Sequence, residues 1–185
     1  MTFLHVARWA LNFLGEVNLA VKKNWSMSRT RELWVSWNPP KGGIIKINTD
    51  GSVNPDGHAA AGGVLRNDKG DWLAGFSMNV DMCSVIAAEL WGVKDGLQLA
   101  IERGPKDIEL EVDSLVVFSL LRDNSNLDHP VSALIRCCQS LMTVANVVEF
   151  SHTFREGNRC ADLLASLGLD CSPRLHIFDS ISSSL

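Results

Sequence analysis

Four acids, Asp50, Glu89, Asp113 and Asp162, are spread through a chain of 185 residues, each where an element should begin or end. Asp50 closes the alternating run IKINTD and is followed at once by Gly51, and Asp113 closes IELEVD. Glu89 falls in the first turns of a helical stretch that opens at Ser84, and Asp162 in the first turns of another that opens near Asn158. Four carboxylates in one cleft repel each other unless divalent cations neutralise them, and hard oxygen ligands suit Mg2+ or Mn2+. Such a set suits two cations about 4 Å apart, clamping the attacking water and the leaving oxygen of a phosphodiester. Each acid also has a plainer reading. Asp50-Gly51 is ordinary turn chemistry, Asp113 could cap the next helix, Glu89 could be a solvated helix residue, and Asp162 could pair with Arg159. The joint placement favours a shared site.

The elements that must position these acids are legible from periodicity. Residues 44–50, 59–66 and 71–78 read as strands, the last two joined by the polar turn NDKG. Residues 84–103 place Ile86, Leu90, Val93, Leu97 and Ile101 at helical spacing, and Gly104-Pro105 stops that helix. A strand at 107–112, a short helix through SLVVFSLL, a helix at about 131–144, a strand at 147–152 and a helix from Asn158 to Gly168 follow. This order fits a mixed α/β sheet of five strands, three antiparallel and then two parallel, flanked by helices. If the strands carrying Asp50 and Asp113 are parallel neighbours, both aspartates reach the same edge, where open sheets place their sites. Ala88, Gly92 and Gly96 form a small-residue stripe beside Glu89 that would let the helix approach the sheet closely.

Three regions are expected: an N-terminal helix and linker at 1–40, the main domain at 41–168 and a C-terminal tail at 169–185. The apolar start is broken by His5, Arg8, Asn12 and Glu16, so it reads as a mostly apolar helix rather than a signal peptide or a membrane span, and Glu16 and Glu32 weaken the reading as a mitochondrial address. Pro39, Pro40, Gly42 and Gly43 close the linker, and the serine-rich end is expected to be loose. A net charge of −4 argues against gripping nucleic acid by bulk positive potential, although a metal site supplies positive charge locally. The five cysteines lack paired spacing and read as reduced thiols of an intracellular protein. A monomer is expected, without a membrane partner. The choice among nucleus, organelle and cytoplasm stays open.

The segments INTDGS, SVIAAELWGVKDGLQLA, IELEVDS and HTFREGNRCADLLASL resemble, in order and spacing, the four acidic motifs of the type 1 ribonuclease H domain. The resemblance spans roughly 34–168. It is strongest to the plant branch related to the terminal domain of non-LTR retrotransposon polyproteins, in which W-x-P-P-x-G leads into the first strand, as WNPPKGG does here. It implies cleavage of the RNA strand of RNA/DNA hybrids, with Asp50, Glu89, Asp113 and Asp162 as catalytic metal ligands. It also implies that Gly51, Ser52, Gly62 and Ser84 lie near the RNA strand, where small polar groups can meet 2′-hydroxyls. Arg155 and Asn158 join the expected substrate contacts, and His152 stands ten residues before Asp162, where relatives carry a catalytic histidine.

Three departures bear on activity. His152 could belong to the strand itself, leaving Arg155 as the functional cation of the loop. Val85, Ile86 and Leu115 stand where relatives have amides, and segment 122–136 lacks a Lys- and Trp-rich protrusion. Weak, salt-dependent hybrid binding is therefore expected. A catalytically weak or inactive nucleic-acid-binding module of retroelement origin remains the alternative. A 3′ exonuclease is disfavoured because DGS lacks the second acid of a D-x-E pair.

Overall fold

The computed structural model describes residues 37–104, 107–123 and 130–179, which lie within one compact unit. The expected N-terminal helix and most of its linker lie outside the described residues. Six strands form one sheet in the order β5-β4-β1-β2-β3-β6. β1 (Ile45–Val53), β2 (His58–Arg66) and β3 (Trp72–Met82) are antiparallel, whereas β4 (Ile108–Val112) and β5 (Val147–His152) join β1 in parallel. The helices are α1 (Val85–Glu102), α2 (Leu115–Arg122), α3 (Ser132–Val144) and α4 (Arg159–Gly168). β6 (Leu175–Phe178) closes the far edge against β3.

Local chemistry sets the joints. The side chain of Asn54 accepts from the backbone N–H groups of Asp56 and His58, and Gly57 takes a φ of 89° to turn β1 into β2. Asn67 does the same for Lys69 and Asp71, with Gly70 at φ 82°. Ser84 caps α1 by accepting from Ala87 N, and Ser114, rather than Asp113, caps α2 by accepting from Val117 N. That leaves the Asp113 carboxylate free for other work.

Alternation along β1 sorts the two faces. Ile47 and Thr49 meet α1, where a side chain at Gly96 would lie 3.0 Å from Thr49 Cγ2 and 3.1 Å from Ile47 Cγ2. The core on this side gathers Ile47, Leu65, Phe76, Leu90, Val93, Leu97 and Leu110, all essentially inaccessible. Each contributes about 1.5–3 kcal/mol by burial. The opposite face of β1 and β2 receives α4. There Gly62 lets the helix backbone down, since an added Cβ would sit 2.2 Å from Ala165 N.

The rest of that opposite face holds a polar network. The buried Lys46 reaches Glu109 at 2.6 Å, Glu111 at 2.7 Å and the Asn38 carbonyl at 2.8 Å. Asn48 donates to Glu111 and accepts from Trp37 Nε1 and Arg66, while the Arg66 guanidinium stacks 3.8 Å from the Trp37 ring centroid. Trp37 and Asn38 therefore belong with the sheet, although the sequence reading places them in the linker.

The far boundary shifts as well. The sheet has six strands rather than five because residues 175–178, read as tail, pair with Gly75–Met78. Trp72 Nε1 donates to the Phe178 carbonyl at 3.0 Å, and Arg103 pairs with Asp179. All five cysteines are free, with Cys138 buried and its Sγ directed at the Leu90 carbonyl.

A candidate metal centre at the end of the parallel strands

The parallel pairing Thr49↔Val112 sets Asp50 level with Asp113, which follows β4 directly; Asp50 does not close its strand as the sequence suggests, because β1 runs on to Val53 against β2. Gly51 brings in the third acid. A Cβ there would lie 2.3 Å from Glu89 N and 2.6 Å from Ala88 C, so only glycine lets the first turns of α1 rest on the strand. Oxygens of Asp50, Glu89 and Asp113 consequently lie within 4.8 Å of one another. Asp162 reaches the same place from the opposite face on α4 and shares a hydrogen bond with Asp50.

Burial and mutual repulsion dominate the electrostatics. Asp50 is 5% exposed; loss of water, then the charges of Asp113 and Asp162, push its carboxyl up to about 8. Glu89 is 7% exposed and is pushed up to about 9 by burial, then by the charges of Asp50 and Asp113, with a side-chain hydrogen bond to Asp50. Asp113 is also raised, chiefly by burial, while a hydrogen bond from Asn158 pulls the other way. The buried Oε2 of Glu89 has no hydrogen-bond partner among the described residues. An orphaned buried oxygen beside carboxyls raised by burial and by one another's charge is chemically unfinished. The donors are all hard oxygens and fit a divalent cation such as Mg2+ or Mn2+.

Asn158 binds this arrangement together. It is buried and donates from Nδ2 to the Thr49 carbonyl at 2.9 Å, while its own backbone carbonyl accepts from Ala161 N and Asp162 N. The first turn of α4 is thereby fixed to β1 and to Asp113. The sequence reading names Asn158 a substrate contact; in the structure its side chain is buried and bonded to the Thr49 carbonyl. Its only sequence signal is its place just before an acid-bearing helix.

The other expected site residues fall as follows. Gly62 is buried under α4 and serves helix packing, not an open contact surface. Gly51 has its side-chain direction filled by α1, which leaves its backbone as the part available to a ligand. Ser52 is half-buried on β1 opposite Ala60, and Ser84 is exposed at the start of α1. His152 is the last residue of β5, opposite Val112, and its Nε2 is 3.1 Å from the Asp113 carbonyl. In the tautomer protonated at Nε2 it donates there, so it supports Asp113 from a strand rather than from a mobile loop. The Arg155 side chain is 77% exposed and pairs with Asp162 at 2.7 Å; Asp162 therefore takes its cation from Arg155 rather than Arg159.

This sheet order and its flanking helices define a ribonuclease H-like fold. It superposes on the RNase H1 of the archaeon Halobacterium salinarum with TM-score 0.63 and 28% identity, over 69% of this chain and 98% of that one. The N-terminal RNase H domain of a Mycobacterium tuberculosis protein gives TM-score 0.64 at 23% identity, over 70% of this chain and 95% of that one. A compost-derived RNase H1, solved with an RNA/DNA hybrid, gives 0.62 at 22%, over 68% and 96%. The reverse transcriptase-like family matches residues 48–168, and the chain belongs to that family. An Arabidopsis thaliana protein named "Putative ribonuclease H protein" is 42% identical over 156 residues; the match covers 83% of this chain and 25% of that protein.

Proposed function

We propose that this domain is a metal-dependent endonuclease that hydrolyses the RNA strand of RNA/DNA hybrids. The observation that carries the reading is the convergence of Asp50, Glu89 and Asp113, buried or half-buried, mutually repelling and within 4.8 Å. Asp50, Glu89 and Asp113, with Asp162 beside them, would hold two divalent ions, Mg2+ or Mn2+. When bound, such ions lower the pKa of a water and stabilise charge on the phosphate oxygens. The chain's own part is to release protons from Asp50 and Glu89 on loading, to hold Asp113 through Asn158 and His152, and to keep Asp162 within reach of Asp50. The backbone around Gly51, with Ser52 and Ser84, would meet the ribose side of the RNA strand. Arg155 supplies a cation that a phosphate can share. Among the described residues no helix is long and apolar enough to cross a membrane.

Cleavage of an end-labelled hybrid in Mg2+ tests the assignment. The native protein is expected to cut the RNA strand and Asp50→Asn to lose that activity, whereas equal cutting by both refutes it. A second reading, a nucleic-acid-binding module without turnover, is favoured by the apolar Val85 and Leu115, which are 55% and 62% exposed beside the centre. Calorimetric titration with hybrid separates the two, since such a module binds without cutting.

A further inference from the structure

Phe154 is 61% exposed, yet little about it is loose. Thr153 N donates to the Val112 carbonyl at 2.9 Å and Gly157 N to the Phe154 carbonyl at 2.8 Å, so the backbone is tied on both sides of the ring. The ring meets His152 edge-on, with centroids 5.8 Å apart and planes at 76°. His152 in turn lies 6.3 Å from Phe118, which packs on Phe150 at 4.9 Å. Phe154 is thus the outer end of an aromatic row rooted in the core, one ring beyond the histidine that holds Asp113.

Its neighbours restrict what could cover it. β4 and β5 are parallel with Val112 opposite His152, so Phe154, two residues past β5, and Leu115, three residues past β4 at the start of α2, follow adjacent strand ends on the edge where Asp113 lies. Leu115 is itself exposed. Arg155, the next residue, is exposed as well and gives one guanidinium nitrogen to Asp162. A guanidinium has five N–H donors, so it can also hold a phosphate oxygen. An aromatic face, an apolar neighbour and an adjacent cation match a nucleotide: the ring takes a base or sugar face and the cation its phosphate.

We infer that Phe154, extended by Leu115, is the platform on which a nucleotide beside the cleaved phosphodiester packs, and that it sets substrate affinity. The inference rests on the nuclease reading above and adds an apolar, sequence-tolerant contact to it. Steady-state cleavage of hybrid by the full chain in Mg2+, with Phe154→Ala and Phe154→Trp, tests it. Phe154→Ala is expected to raise KM about tenfold, which is about 1.4 kcal/mol, with kcat within about twofold of native. Phe154→Trp is expected to keep KM within about twofold, and the thermal midpoint of both variants to stay native because the ring is exposed. In Ca2+, 2-aminopurine placed next to the cleaved bond is expected to be quenched by the native chain and by Phe154→Trp, and not by Phe154→Ala. Native KM and quenching in Phe154→Ala, with native activity present, overturn the platform alone and leave the ring as a contact for something else, such as a protein. Failure of the native chain to bind or cut hybrid overturns both readings.

Discussion

Replacing Lys46 by methionine should unfold this domain more readily than any loss of a surface ion pair. Lys46 Nζ lies within 2.7 Å of two carboxylates, and the side chains of Lys46, Glu109 and Glu111 are only 3%, 11% and 14% exposed. Methionine keeps the apolar stem but removes the charge, leaving two acids facing each other away from water. Removing one partner of a buried pair costs about 3–5 kcal/mol, a large share of the ~5–15 kcal/mol that holds a domain of this size. With a urea slope of about 2 kcal/mol/M, the midpoint should fall by about 1.5–2.5 M. Lys41→Met is the control: its contact with Glu149 is 3.9 Å long with both side chains largely exposed, and such pairs contribute about 0–1 kcal/mol. Adding Glu109→Gln and Glu111→Gln to Lys46→Met should recover at least half the loss, because the amide oxygen that then stands at position 111 still accepts from Asn48. A single-variant loss below about 1 kcal/mol, or a triple variant no better than the single, would refute this account of the network.

Gly62→Ala should lower the melting temperature sharply, because its methyl would meet helix backbone at 2.2 Å; forcing α4 outward costs about 1–3 kcal/mol, measurable by calorimetry. Metal-free protein should lose stability as pH rises. Asp50 and Glu89 bind more protons folded than unfolded, since their folded values near 8 and 9 exceed the ordinary values of 3.8 and 4.5, and unfolding free energy then falls across that whole interval. A melting temperature that rises between pH 5 and pH 9 without divalent ions would contradict the burial argument. Mn2+ at a hundred times its dissociation constant should raise stability by about 2.7 kcal/mol, an effect that Asp50→Asn and Glu89→Gln each reduce, read by thermal shift at pH 8.

The sequence shows much of this architecture because its periods are clean. Nine of the strands and helices match alternating or helical patterns, and Glu89, Asp113 and Asp162 stand near the ends expected of them, whereas Asp50 lies within β1, which runs on to Val53. What it hides depends on contacts between distant segments. Lys46 and Asn48 look like the solvated side of β1, and only the approach of Glu109, Glu111 and Trp37 encloses them. β6 is four residues long, too short for alternation to stand out, and forms because β3 offers an unpaired edge. Gly51 and Gly62 read as ligand contacts from motif position, yet their absent side chains answer the packing of α1 and α4. Asn158 shows in the sequence only as the residue before an acid-bearing helix, since its bonds join Thr49 to Asp113 across the fold.

The short β6 also bears on how this polypeptide can safely be shortened. Ending the chain at Gly168, where the motif resemblance stops, would strip the outer rim of β3 and bare the backbone of Gly75, Phe76, Ser77 and Met78. Naked rims of that kind recruit other copies and drive insoluble clumping. A version trimmed for solution work should therefore keep Phe178, whose carbonyl Trp72 already grips.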